Sequence, residues 1–109
     1  MVTTIVKDMT DIPADALHVV ATIPIDPAKS TEAAAALAEL AAATRGEEGC
    51  YAYDVYESAA APGVFVTVEA WRAQADLDGH MATPHIAKAF EVLGPAIAGE
   101  IAIHPLKAI

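Results

Sequence analysis

Cysteine is almost missing from this sequence, with Cys50 alone among 109 residues. No internal disulfide can form, and a metal centre built from several thiolates is excluded. Cys50 follows Gly49 and opens a strand-like segment, where it reads as a small half-buried hydrophobe rather than a nucleophile. Cations are scarce as well. Six Lys+Arg stand against fifteen Asp+Glu, a formal charge of −9, so the surface repels phosphate backbones and anionic membranes. Neither nucleic acid nor a membrane is an expected partner. No apolar run approaches the ~20 residues that cross a bilayer. Met1 to Thr10 lacks the basic start and apolar stretch of an export signal, which makes the cytoplasm the expected location. There is no Gly-rich loop to cradle a nucleotide phosphate. The length leaves no room for a second domain.

What is present is hydrophobic. Apolar residues make up 55% of the chain, far above a disordered composition, although alanine supplies much of it. Residues 1–16 read as an extension ahead of the main fold, with one β-like run, Val2 to Val6, that could pair with a sheet edge. The folded domain is expected over residues 17–109. Leu17 to Ile25 is the first strand. Asp26-Pro27 offers an N-cap and first helical position, with a start at Ser30-Thr31 also open, for a helix running to about Thr44. Its buried stripe is Ala33, Ala36, Leu37, Leu40 and Ala41. Glu47-Glu48-Gly49 is a turn, Cys50 to Tyr56 the second strand and Val64 to Trp71 the third, joined through Pro62-Gly63. Arg72 to Met81 is a short helix, and Thr83-Pro84 opens another segment. Glu100 to Leu106 is the last strand.

The order is β-α-β-β-α-β, the split βαβ arrangement of ferredoxin-like α+β domains, in which an antiparallel sheet carries both helices on one face. Such a sheet standing alone alternates apolar and polar residues. These strands do not. The third puts Val64, Val66, Val68 and Ala70 on one side and Phe65, Thr67, Glu69 and Trp71 on the other, and Val20 faces away from Val19 and Ala21 in the first. Two helices cover only one face. A second copy, sheet against sheet, is the simplest cover for the other, so a homodimer closing into an α/β barrel is expected.

Four pieces then occur in order: Gly49-Cys50, the strand Tyr53-Asp54-Val55, Glu69-Ala70-Trp71 ending the third strand, and His80 followed by Thr83-Pro84-His85. Together they resemble the antibiotic biosynthesis monooxygenase (ABM) family, small ferredoxin-like dimers that include quinol and polyketide-anthrone monooxygenases. The resemblance covers about residues 17–106. It implies oxygenation without metal, flavin or haem, in which an electron-rich phenol is deprotonated and its anion reduces O2 directly. A small aromatic substrate and O2 are then the expected partners, and no cofactor is needed. The family also holds haem-degrading enzymes and an isomerase. The haem-degrading positions fall near Ala21 and Phe90, which disfavours that activity.

Such chemistry needs apolar walls, an aromatic face, hydrogen-bond donors and a group that titrates near neutrality. Trp71 can stack on a substrate ring and donate its indole N–H, or serve as a plain core residue. His80 and His85 flank the Thr83-Pro84 break and are the proton-transfer candidates, with helix capping as the plainer role. Tyr51 and Tyr53, on one strand face, could bond a substrate oxygen. Thr67, Glu69 and Phe65 share a face with Trp71, and an ion pair of Glu69 with Arg72 or Arg45 is the expected resting role. The catalytic set is thus His80, Trp71, His85 and Tyr53; the substrate-binding set is Trp71, Thr67, Glu69, Tyr51 and Phe65. Trp71 and His80 are expected on opposite walls of a pocket between helices and sheet. A metal site from His80, His85 and His18 or His104 is disfavoured by its spacing. The rival functions are a non-catalytic protein binding a small aromatic metabolite, and an isomerase of a small hydroxy-ketone.

Overall fold

The computed structural model describes residues 12–109; the Val2 to Val6 run lies outside them. Four strands form one antiparallel sheet in the order β2-β3-β1-β4: β1 Leu17–Pro24, β2 Cys50–Glu57, β3 Val64–Trp71 and β4 Ala102–Pro105. Three helices, α1 Ser30–Thr44, α2 Gln74–Met81 and α3 Pro84–Leu93, complete a ferredoxin-like α+β fold. Ile25 continues β1 only as an isolated bridge to Ile97. The last strand keeps four residues of the expected seven, because it pairs with β1 alone and only from Val19 to Thr22.

Each boundary has a local cause. The Asp26 carboxylate accepts from the Ala28 amide, but it caps a single 3-10 turn, Pro27–Lys29, and the α-helix proper begins at Ser30. Ala33, Leu37, Leu40, Ala41 and Thr44 form the buried stripe of α1, at the i, i+3, i+4 spacing that lines one helical face. Thr83 caps α3, its hydroxyl accepting from the Ile86 amide at 3.4 Å, and Pro84 fills the first position, where no amide hydrogen is needed.

On β3 the residues Phe65, Thr67, Glu69 and Trp71 are buried beneath the helices, while Val68 on the opposite face is 43% exposed. A bulge between Cys50 and Ala52 breaks the alternation of β2. Cys50 and Tyr53, three apart, therefore both join the core. The helix-facing core divides in two. One cluster centres on Leu37, Phe65 and Leu93, and the other on Val19, Trp71, Tyr53 and Leu77. Among the described residues no helix is long and apolar enough to cross a membrane.

Candidate functional site

The site grows from the second cluster. Glu69 stands opposite Tyr53 in β2 and Val19 in β1, and Thr67, two residues before it on β3, stands opposite Ala21, so three strands contribute to one patch. Helix α2 leaves β3 after Trp71 and folds back over it, bringing His80 in its last turn down onto the sheet. The imidazole is 2% exposed, with ring centroids 4.9 Å from Trp71 and 5.4 Å from Tyr53. The Thr83 hydroxyl donates to the His80 carbonyl at 2.7 Å and fixes the break. That turn returns His85, in the first turn of α3, to 6.0 Å from His80.

A residue absent from the expected set joins the two histidines. One oxygen of Glu47 (Oε2) lies 2.7 Å from His80 Nδ1 and 2.6 Å from His85 Nε2. The turn read from the sequence as Glu47-Glu48-Gly49 is a built platform. The Glu47 amide donates to Thr44 O at 2.9 Å, and the Arg72 amide to Gly49 O at 2.8 Å. Gly49 adopts φ 89° and packs so tightly on Asp76 that a Cβ would collide with that side chain. Asp76 is held in turn by two hydrogen bonds from Arg72, at 3.1 and 2.7 Å.

The spacing of this trio fits hydrogen bonding better than metal ligation. Its three atoms lie within 4.8 Å of one another. Tetrahedral ligands about 2.1 Å from an ion stand roughly 3.4 Å apart, whereas the carboxylate oxygen is closer than that to both nitrogens. His18 and His104 sit on the outer face, within or beside the Val20–His104 and Ala70–His18 pairings, far from a common site with His80.

Glu69 does not pair with an arginine. Arg72 is engaged by Asp76 and Glu48, and Arg45 by Asp54. The buried Glu69 carboxylate instead accepts from the Thr67 hydroxyl at 2.6 Å and from the Trp71 indole N–H at 2.8 Å. Short, nearly water-free bonds of this kind lock both partners. Burial, with the Glu69 charge beside it, pushes the Tyr53 phenol well above its ordinary value. It therefore stays neutral near pH 7 and can act as a donor.

Beneath the helices lies a cavity of about 40 Å³ whose walls include His80, Tyr53, Thr67, Glu69, Phe90 and Met81. His80, Tyr53, Thr67 and Glu69 are thus brought together. Trp71 is fully buried beside them, its ring in tilted contact with His80 at 44° rather than facing it across a space. Phe65 belongs to the other core cluster, and Tyr51 at the bulge is not part of the cavity wall. His85 opens instead on an outer groove of about 560 Å³ between α1 and α3, shared with Glu39 and Lys88.

The model of the family described as "Antibiotic biosynthesis monooxygenase" matches residues 16–92. The chain is 37% identical over 60 residues to "Putative monooxygenase Rv0793" of Mycobacterium tuberculosis, a match spanning 55% of this chain and 58% of that protein. The solved structure of Rv0793 superposes with a TM-score of 0.77 at 29% identity, covering 87% of this chain and 96% of that one. A Caulobacter crescentus CB15 structure described as a "putative antibiotic biosynthesis monooxygenase" gives 0.80 at 32%, covering 86% and 90%. PA3566 of Pseudomonas aeruginosa gives 0.76 at 29%, covering 86% and 94%. With the expected motifs in place and the fold they require, the chain belongs to the antibiotic biosynthesis monooxygenase family.

Proposed function

We propose that the protein is a cofactor-independent monooxygenase that oxidises a quinol or polycyclic phenol with O2. The observation that carries this reading is the buried His80 imidazole, which forms part of a cavity wall beside Tyr53 and is anchored by a carboxylate at Nδ1. His80 takes a proton from the bound phenol or from an activated ring CH2. The anion gives one electron to O2, and the radical pair joins through a new C–O bond as a peroxide. His80 returns its proton to the outer oxygen. The hydrogen left on the same carbon is then lost as a proton, its electron pair forms the C=O as the O–O bond breaks, and the hydroxide released takes up that proton and leaves as water. One oxygen atom of O2 ends in product and one in water, so no external reductant is required. A dry, apolar surround keeps the anion reactive toward O2, and the neutral Tyr53 hydroxyl can donate to the developing oxyanion.

At about 40 Å³ the cavity admits water or O2 but not a quinol, which needs a pocket of several hundred Å³. Its wall includes Met81 and Ile103, each more than 40% exposed, and these side chains are the ones placed to move aside. The working form is a homodimer in the cytoplasm, with residues 1–16 as an extension of the domain. The uncovered valines of the outer sheet face support the dimer. The reading is tested by oxygen uptake against a panel of quinols and anthrones with no cofactor added. Uptake coupled to quinone formation supports it. Tight binding of the same compounds without uptake would mean that the pocket binds and does not catalyse.

A further inference from the structure

We infer that Glu47 is the positioning residue of this site, and that it holds His80 in the Nδ1–H tautomer so that Nε2 keeps its lone pair for the substrate. The inference rests on His80 being the base in the proposed oxygenation, and it adds how that base is kept ready. A carboxylate oxygen accepts hydrogen bonds and does not donate them. With His80 Nδ1 at 2.7 Å and His85 Nε2 at 2.6 Å from the same Oε2, both nitrogens must bring the hydrogen. The proton of neutral His80 is thereby assigned to Nδ1, the nitrogen turned toward Glu47. The other ring nitrogen, Nε2, is left to accept. A free imidazole prefers the opposite tautomer, so the carboxylate sets a state that the ring alone would not choose. When His80 takes the substrate proton it becomes an imidazolium, and Glu47 then faces a cation across a short bond.

His85 has a separate part. It is 25% exposed on its side chain and opens on the outer groove, so it is poorly placed to meet a substrate in the cavity. Its Nε2–H supplies the second donor that pins Oε2, while the chain on either side of Glu47 is fixed by the Thr44 and Gly49 backbone bonds. Other titratable groups surround the trio. Tyr53 and Cys50 on β2 and Glu69 on β3 lie on the sheet side, and Glu39 on α1 with Lys88 on α3 lie along the groove. None of these makes a hydrogen bond to the two ring nitrogens turned toward Glu47. The arrangement is the carboxylate–imidazole pair used to orient a base in many enzymes, here with one carboxylate serving two rings.

The test is the imidazole ¹⁵N–¹H spectrum of full-length, ¹⁵N-histidine-labelled protein at neutral pH, with four histidines to assign. Wild type should show His80 protonated at Nδ1. In Glu47→Ala the proton should move to Nε2, and with an oxidisable quinol kcat should fall roughly 10²-fold or more while KM changes little. His85→Gln, which keeps a donor, should retain the His80 tautomer and most of kcat. An Nε2–H tautomer in wild type, or an unchanged kcat in Glu47→Ala, would overturn the inference. So would a stoichiometric divalent ion that replaces both N–H signals. The spectrum needs no substrate. A wild-type protein with the Nδ1–H signal, lost in Glu47→Ala, but with no oxygen uptake on any quinol would uphold the positioning role and remove the oxygenase reading.

Discussion

Replacing Trp71 with alanine would empty the most enclosed large site in the protein and strip Glu69 of one of its two donors. The expected cost is about 3–5 kcal/mol from the cavity alone, read as a lower urea midpoint, so any loss of substrate binding must be measured on protein shown to be folded. Trp71→Phe isolates the polar part. It keeps most of the ring and should cost about 1–3 kcal/mol for the buried carboxylate left short of a hydrogen bond. Tyr53 makes a prediction in pH. Its folded value is raised and its unfolded value is the ordinary one near 10. Above that pH the unfolded chain releases a proton that the native chain keeps. Stability should therefore fall as pH rises past 10, by up to about 1.4 kcal/mol per unit, and Tyr53→Phe should remove that part of the slope in denaturation curves taken from pH 9 to 11. At this scale the sequence was informative about residue type and face. Glu69, Thr67 and Trp71 had to share a strand face, and they do. The partners of Glu69 were not legible, because sequence position says nothing about which carboxylate an arginine reaches.

The elements that carry the site differ in how openly the sequence declares them. Thr83-Pro84 announces a helix start, an N-cap oxygen followed by a residue that needs no amide hydrogen, and it places His80 and His85 on either side of one sharp turn. The Glu47-Glu48-Gly49 turn announces nothing, since two acids before a glycine are the common dress of a solvated loop. One signal was available. β2 begins opposite the end of β3, at the Cys50–Trp71 pair, so the turn before β2 had to lie at the end of the sheet over which α2 folds. The bulge at the start of β2 was hidden as well, which is why Tyr51 and Tyr53 were expected on one face. A tight joint of the site is Gly49. Gly49→Ala would need a left-handed backbone and would drive its Cβ into Asp76. Such strain costs about 1–3 kcal/mol. Thermal denaturation should show that loss, and turnover should drop further than stability accounts for, because Glu47 shifts with the loop.

For the whole molecule, the side of the sheet away from the helices pairs Val20 with Val68 and Thr22 with Val66. Tyr56 at 59% and Val68 at 43% exposure belong to the same open surface. An apolar sheet face of this kind calls for a cover, and a second copy is the expected one. Sedimentation equilibrium at micromolar concentration should give twice the chain mass, and Val68→Asp should give the single-chain mass. A wild-type monomer would sink the barrel. The fold was legible because β-branched runs, capping residues and turn dipeptides mark where strands and helices begin and end; the partner is legible only as an unsatisfied face. The central claim concerns His80, and oxygen uptake with a turned-over quinol tests it most directly, comparing wild type with His80→Ala at equal folded concentration. The account predicts consumption of one O2 per quinol without added cofactor, slowed about 10²-fold or more in the variant, whereas equal rates in the two proteins would contradict it.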